Sequence, residues 1–232
     1  MSPTTRRLVM GLMLLTAAGF ARLGVWQLDR LRQRRAANVV TLAARHAPPV
    51  TLTPASSGTD TLGQHRVVAR GRYDFANELV LRGDVFEGVP GVRIVTPLLL
   101  DRAGPAVLVE RGFLPAPDAL TVDARSAEEP GELTVRGIAV PVPAGGGEPI
   151  QHRGTTTWRR LDLPAIRARL PYPVLPIYIR QTPDKGLPPF PRRLPPVAVD
   201  EGPHLSYAIQ WFLFAALAAA FALLVVGRRP PA

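Results

Sequence analysis

From Leu205 to Val226 the chain carries no charged residue. At about 1.5 Å of rise per residue such a helix is roughly 33 Å long, enough to cross a hydrocarbon core of about 30 Å. It has no polar face to turn toward water, so the pattern predicts a transmembrane helix, with Arg228 and Arg229 directly behind it. The other end repeats the pattern less cleanly. Arg6 and Arg7 precede an apolar stretch from Leu8 to Ala21, and Arg22 then interrupts before Leu23-Gly24-Val25-Trp26-Gln27-Leu28. Read as a span to Leu28, it needs Arg22 to snorkel toward the headgroups and Trp26 to sit at the interface. Read as a secretory signal, it offers a basic head, an apolar middle and the small residues Gly19 and Ala21 before a cleavage point.

Between these ends the texture changes. Leu31, Val39 and Leu42, interleaved with Arg30, Arg32, Arg34 and Arg35, fit a helical extension on the membrane surface or a solvated stalk, ended by Pro48-Pro49. A Pro, Ser, Gly and Thr loop follows to Gly63. Short runs then predict strands at Val67–Tyr73, Glu78–Leu81, Val92–Leu100, Ala106–Arg111, Glu132–Val140 and Val174–Arg180, with a turn at Asp101-Arg102-Ala103-Gly104. Arg-Gly closes or interrupts four of them, at Gly71, Gly83, Gly112 and Gly137, where glycine signals a bulge or a positive φ. Gly145-Gly146-Gly147 reads as a flexible loop. Asp162 is a predicted N-cap for a short helix to about Leu170, and Leu187 to Pro203 is proline-rich and extended. The expected fold is therefore a membrane protein: two transmembrane α-helices flanking an α+β domain, mainly antiparallel β-sheet or a partly closed barrel. Its parts are residues 1–28, a tail and first span; 29–203, the extramembrane domain; and 204–232, the second span and a basic tail.

Composition narrows the function classes. Hydrophobic residues are 47% of the chain and mean hydropathy is +0.10, an excess concentrated in the two ends. The net charge of +10 comes almost wholly from arginine, since Lys185 is the sole lysine. That charge is spread along the chain without interleaved aromatics, which argues against nucleic acid as a partner. The absence of cysteine excludes disulfides, thiolate metal sites and cysteine nucleophiles. Arginines flank both spans on both sides, and the intervening loop is too long for the positive-inside rule to orient.

Catalytic signatures are lacking: no P-loop, no Gly-x-Ser-x-Gly elbow, no His-Glu-x-x-His and no dinucleotide fingerprint. We therefore expect no enzyme. The four histidines, His46, His65, His152 and His204, show no helical pairing. His204 stands at the mouth of the second span, on one helical face with Tyr207, Ala208 and Trp211. It is either an interfacial residue within an aromatic belt or an axial ligand to a haem.

Three motifs carry a family resemblance. Gly24-Val25-Trp26-Gln27-Leu28-Asp29-Arg30-Leu31, Val109-Glu110-Arg111-Gly112-Phe113-Leu114-Pro115, and His204-Leu205-Ser206-Tyr207-Ala208-Ile209-Gln210-Trp211 occur in this order, with supporting matches at Gly71–Asp74, Val95–Leu98, Trp158 and Asp162-Leu163. From about Gly24 to Trp211 the chain resembles the Surfeit-locus cytochrome c oxidase assembly factors. The resemblance implies a bacterial inner-membrane protein with both termini cytoplasmic, a retained first span and a domain on the periplasmic side. It implies partnership with oxidase subunit I and other oxidase assembly proteins, and a role in haem a delivery or subunit maturation. The alternative is a cofactor-free scaffold for oxidase subunits. It also implies a haem a site in which His204 ligates iron, Tyr207 and Trp211 line the ring, and Trp26, Gln27 and Arg30 close the site from the first span. Two positions depart from the family: Gly202-Pro203 stands where an Asn pair is common, and Phe113 where Trp is common.

Overall fold

The computed structural model describes residues 2–101, 104–123, 127–152 and 154–227. Arg228, Arg229 and the Arg102-Ala103 turn thus lie outside the described residues. The chain forms two compact units, residues 43–198 and the two chain ends, 1–42 with 199–232.

The first unit is a mixed sheet of nine strands: β1 Val50–Leu52, β2 Arg66–Tyr73, β3 Leu79–Phe86, β4 Val89–Leu99, β5 Ala106–Pro115, β6 Glu132–Pro141, β7 Ile150–His152, β8 Thr155–Trp158 and β9 Val174–Gln181. Their order is β1-β2-β6-β9-β5-β4-β3-β8-β7, and β2 also pairs with β4. That extra pairing, Arg72 to Leu99 and Tyr73 to Leu98, closes β2, β6, β9, β5 and β4 into a five-stranded barrel. Pairing is antiparallel except for β1–β2, β3–β8 and β5–β9. Closure removes the open edges that an incomplete barrel would expose. It also explains one of the Arg-Gly signals, because a Cβ on Gly71 would lie 2.2 Å from the Leu99 carbonyl oxygen. Only glycine lets the two backbones meet there.

Alternation along the strands fills two large cores beside a smaller cluster around Val80, Val92, Ile94 and Leu114. Val67, Ala69, Tyr73, Leu98, Val107, Val109, Val135, Ala139, Ile177 and Ile179 pack together in one. The opposite faces, with Val95, Leu108 and Tyr178, pack against Trp158 and Ile166 in the other. β5 is buried at all but its last position, as the unbroken apolar run at Ala106–Val109 requires. Every predicted strand exists, and β3 and β5 run on through Arg82-Gly83 and Arg111-Gly112, where they were expected to end. At Gly83, φ is +77° and the β3–β4 register shifts, so that glycine marks a bulge. β1, β7 and β8 were not legible as strands, being only three or four residues long.

The short helix α2, Leu163–Arg169, begins as read: the Asp162 carboxylate accepts from the Ala165 backbone N–H at 3.1 Å. The same carboxylate accepts from Gly146 N–H at 2.6 Å. The triple-glycine segment is therefore not a loose loop but a turn gathered around a carboxylate. Hydrogen bonds from Ala165 first, and from the glycines, hold the Asp162 carboxyl below the usual carboxylate range.

Arg111 lies wholly buried between Glu78 at 3.1 Å and Glu129 at 2.7 Å, its guanidinium over the rings of Tyr73 and Phe75. Arg193, from the proline-rich segment, reaches the same Glu129 and donates to Gln181. Phe113 and Arg192 exchange backbone hydrogen bonds at 2.9 and 2.8 Å. Arg192 and Arg193 of the predicted extended segment are thus docked on the barrel by one β-bridge and buried charges. Such a network is costly to break from one side.

The second unit holds two helices long and apolar enough to cross a membrane. The first is α1, Pro3–His46, and the second is α3, His204–Gly227. α1 is one continuous helix of 44 residues. Arg22 does not break it, and the surface extension sketched after Leu28 is the same helix continuing.

Candidate functional site

The membrane unit is organised by a seam along α1. Its buried positions are Gly24, Gln27 and Leu31, with half-buried Phe20 one turn earlier. These follow a spacing of four and three, the repeat by which two helices keep one face in register. Along α3 the matching positions are His204, Ala208 and Trp211. Small residues set the approach: a Cβ on Gly24 would lie 2.8 Å from the Phe212 ring, and Ala208 is buried. Phe20 stacks on Trp211 with centroids 5.6 Å apart and touches Phe214 at 5.7 Å. At the other end, Arg35 pairs with Glu201 through two hydrogen bonds of 2.8 Å. Arg34 and Asn38 both donate to the Asp200 carbonyl oxygen. The loop entering α3 is therefore fixed to α1 at the residues just before His204.

Where this clamp meets the seam, His204 Nδ1 lies 2.9 Å from Gln27 Oε1. Gln27 is only 9% exposed. An amide oxygen accepts and cannot donate, so in the neutral ring this contact places the proton on Nδ1 and the lone pair on Nε2. Neutral imidazole with its other nitrogen held by an outer partner is the usual form of a metal-ligating histidine. Gly202 lies beside the Nε2 edge, with a φ of +67° that favours glycine. A Cβ there would make ordinary contact with the ring, 3.5 Å from Cδ2 and 3.7 Å from Nε2.

The six residues read from the sequence separate into two groups. Gln27 and His204 are in direct contact, and Trp211 belongs to the same seam, packed on Phe20. Trp26, Arg30 and Tyr207 lie on outward faces. Trp26 and Tyr207 are about half exposed, at 49% and 47%, and the Arg30 guanidinium sits 5.5 Å above the Trp26 ring. Tyr207 stands one residue, about 100° around the helix, before the buried Ala208, which turns it off the seam. Phe20, Gly24 and Gly202 were not assigned to the site from sequence, although the spacing of Phe20, Gly24, Gln27 and Leu31 was there to be read. Among the described residues no three His, Asp or Glu side chains converge on a metal position.

The residues therefore fit a haem in donor chemistry: one imidazole whose Nδ1 is held by an amide oxygen, half-exposed aromatic surfaces on both helices and an arginine on α1. The fit is of residues to chemistry, within one unit of the protein.

A "SURF1-like protein" from Monosiga brevicollis is 26% identical over 213 residues, covering 84% of this chain and 78% of that protein. The profile of the SURF1 family matches residues 14–216, which takes in the helix seam, the barrel and the His204 region together. The chain belongs to the SURF1 family.

Proposed function

We propose that this protein is a membrane-bound, non-enzymatic assembly factor for haem-copper oxidases, and that His204 is the point at which it holds haem a for the largest oxidase subunit. One observation carries this reading: the Nδ1 contact of His204 with Gln27, 2.9 Å long, which frees Nε2 to bind a metal. When bound, haem a supplies the iron and a flat apolar ring bearing carboxylates. His204 would hold the iron and Gln27 would fix the imidazole. Trp26 and Tyr207 offer apolar surface, and Arg30 offers a guanidinium of the kind that pairs bidentately with carboxylates. Trp211 contributes by packing α3 on Phe20, so that His204 keeps its place.

We place both chain ends in the cytoplasm and the barrel in the periplasm of a bacterial inner membrane. Support comes from family membership and from the two helices that can cross a membrane. Alkaline-phosphatase and fluorescent-protein fusions at Gly146 check it: phosphatase activity is expected, and fluorescence without phosphatase activity would reverse the orientation. The haem reading is tested by co-expressing the chain with haem a synthesis, purifying it in detergent and recording its absorption spectrum. A haem a spectrum at up to one equivalent is expected. A colourless, folded protein that still co-purifies with oxidase subunits would leave a cofactor-free scaffold.

A further inference from the structure

The barrel carries a second candidate site, independent of the helix pair. Arg82 and Asp84 of β3, Arg93 of β4, Glu110 of β5 and the Arg159-Arg160 turn after β8 surround a cleft of about 280 Å³. Its floor is apolar and aromatic, with Leu161 and Tyr178 both buried.

The charges around it do not balance. Five arginines, with Arg180 reached through Glu110, face two carboxylates. Both carboxylates are already engaged: Arg93 Nε lies 2.6 Å from Asp84, and Arg180 Nε lies 3.1 Å from Glu110. Among the described residues, Arg82 donates only to the Thr157 carbonyl oxygen. Arg159 and Arg160 are exposed and have no acidic partner among the described residues. Three guanidiniums with unmet capacity for carboxylate thus rim an apolar floor.

Size and chemistry narrow the occupant. Whole cofactors and drug-sized ligands fill roughly 300–1,000 Å³, so this cleft suits one or two side chains. The guanidinium fork matches a carboxylate through paired N–H donors. The buried floor beneath asks for an apolar side chain beside that carboxylate. We infer that this cleft docks a short acidic peptide segment of a partner protein, with an apolar side chain on Leu161 and Tyr178 and flanking carboxylates on Arg82, Arg159 and Arg160. Rim charges of this kind set partner choice and encounter rate. The site does not depend on whether His204 binds haem.

The test uses the full chain in uncharged detergent and a fluorescent probe peptide, Asp-Glu-Leu-Glu-Asp, capped at both ends, read by anisotropy. Its comparison peptide replaces each acid by the amide. The acidic peptide is expected to bind at least about tenfold more tightly, as the loss of charged hydrogen bonds implies. Arg159→Gln/Arg160→Gln is expected to weaken it by at least about tenfold with an unchanged melting temperature, since both side chains are exposed. Should the double variant melt early, each single substitution is expected to give a smaller loss in a fully folded protein. Arg136→Gln, an exposed arginine away from the cleft, is expected to leave affinity unchanged. Equal binding of the two peptides, an equal loss in Arg136→Gln, or displacement by inorganic phosphate at matched concentration would each overturn the proposal, the last by showing a bare anion site.

Discussion

Replacing Gln27 by leucine removes the acceptor that holds His204 while keeping a side chain of similar length in the seam. In the parent protein the contact is 2.9 Å long and Gln27 is 9% exposed, so water competes poorly for Nδ1. A hydrogen bond of this kind contributes about 0.5–1.5 kcal/mol net, a factor of roughly 2 to 12 in the balance between the ring tautomers. Without it the proton is favoured on Nε2, at the edge beside Gly202, and the lone pair moves to Nδ1. Loss of an outer partner to a metal-binding histidine lowers metal affinity by about 10- to 100-fold, so haem occupancy in Gln27→Leu should fall by at least about tenfold. Gln27→Glu keeps an acceptor and should retain haem. The assay has a haem-free arm, nitrogen NMR of histidine-labelled protein with His204→Ala for assignment. The parent should show His204 protonated on Nδ1, and Gln27→Leu should show the proton on Nε2. An unchanged tautomer in Gln27→Leu would refute the reasoning even if haem binding fell.

Other outcomes follow from the same contacts. Gly24→Leu should drive a side chain into the Phe212 ring, already 2.8 Å from a bare Cβ, and lower stability by about 1–3 kcal/mol, seen as a lower melting temperature in detergent. Arg111→Met should leave Glu78 and Glu129 buried without their shared cation, at a cost of about 3–5 kcal/mol, read from chemical unfolding; replacing both acids by Gln as well should recover part of the loss. Trp158→Ala should cost about 3–5 kcal/mol, because the ring is 1% exposed at the centre of the outer core. The Asp162 carboxyl is held low in the folded state, so its contribution is present above its unfolded pKa and lost as pH falls through the lower folded value. Asp162→Asn should therefore flatten the acid limb of a stability–pH profile while keeping a side-chain acceptor for the Ala165 N–H.

Hydrophobic patterning made the membrane helices and most of the barrel legible. α3 declared itself by an uncharged stretch, and the core strands by alternation around Val67–Tyr73 and Val174–Arg180. Closure was not legible, because β2 meets β4 through only two residue pairs far apart in sequence. Gly71 marked that seam, but a strand glycine has several uses and only the Leu99 contact picks one. The continuity of α1 was obscured by Arg22, which a single turn of exposed helix tolerates. At the site, the histidine and its glutamine were both read, yet their contact spans 177 positions and no local pattern encodes it. Trp211 and Tyr207 were placed on one face with His204; the helix puts Trp211 in the seam and turns Tyr207 outward, a distinction of one residue in four. The arginine cleft escaped notice because its residues come from four strands and two turns.

The most direct measurement is the absorption spectrum of His204→Ala, co-expressed with haem a synthesis and purified beside the parent. The substitution removes only the imidazole, while Phe20–Trp211 stacking and the Arg35–Glu201 clamp keep the helices paired. The variant is expected to insert, accumulate and melt near the parent temperature with its haem spectrum abolished. Unchanged haem occupancy in a folded His204→Ala protein would contradict the assignment of His204 as the iron ligand.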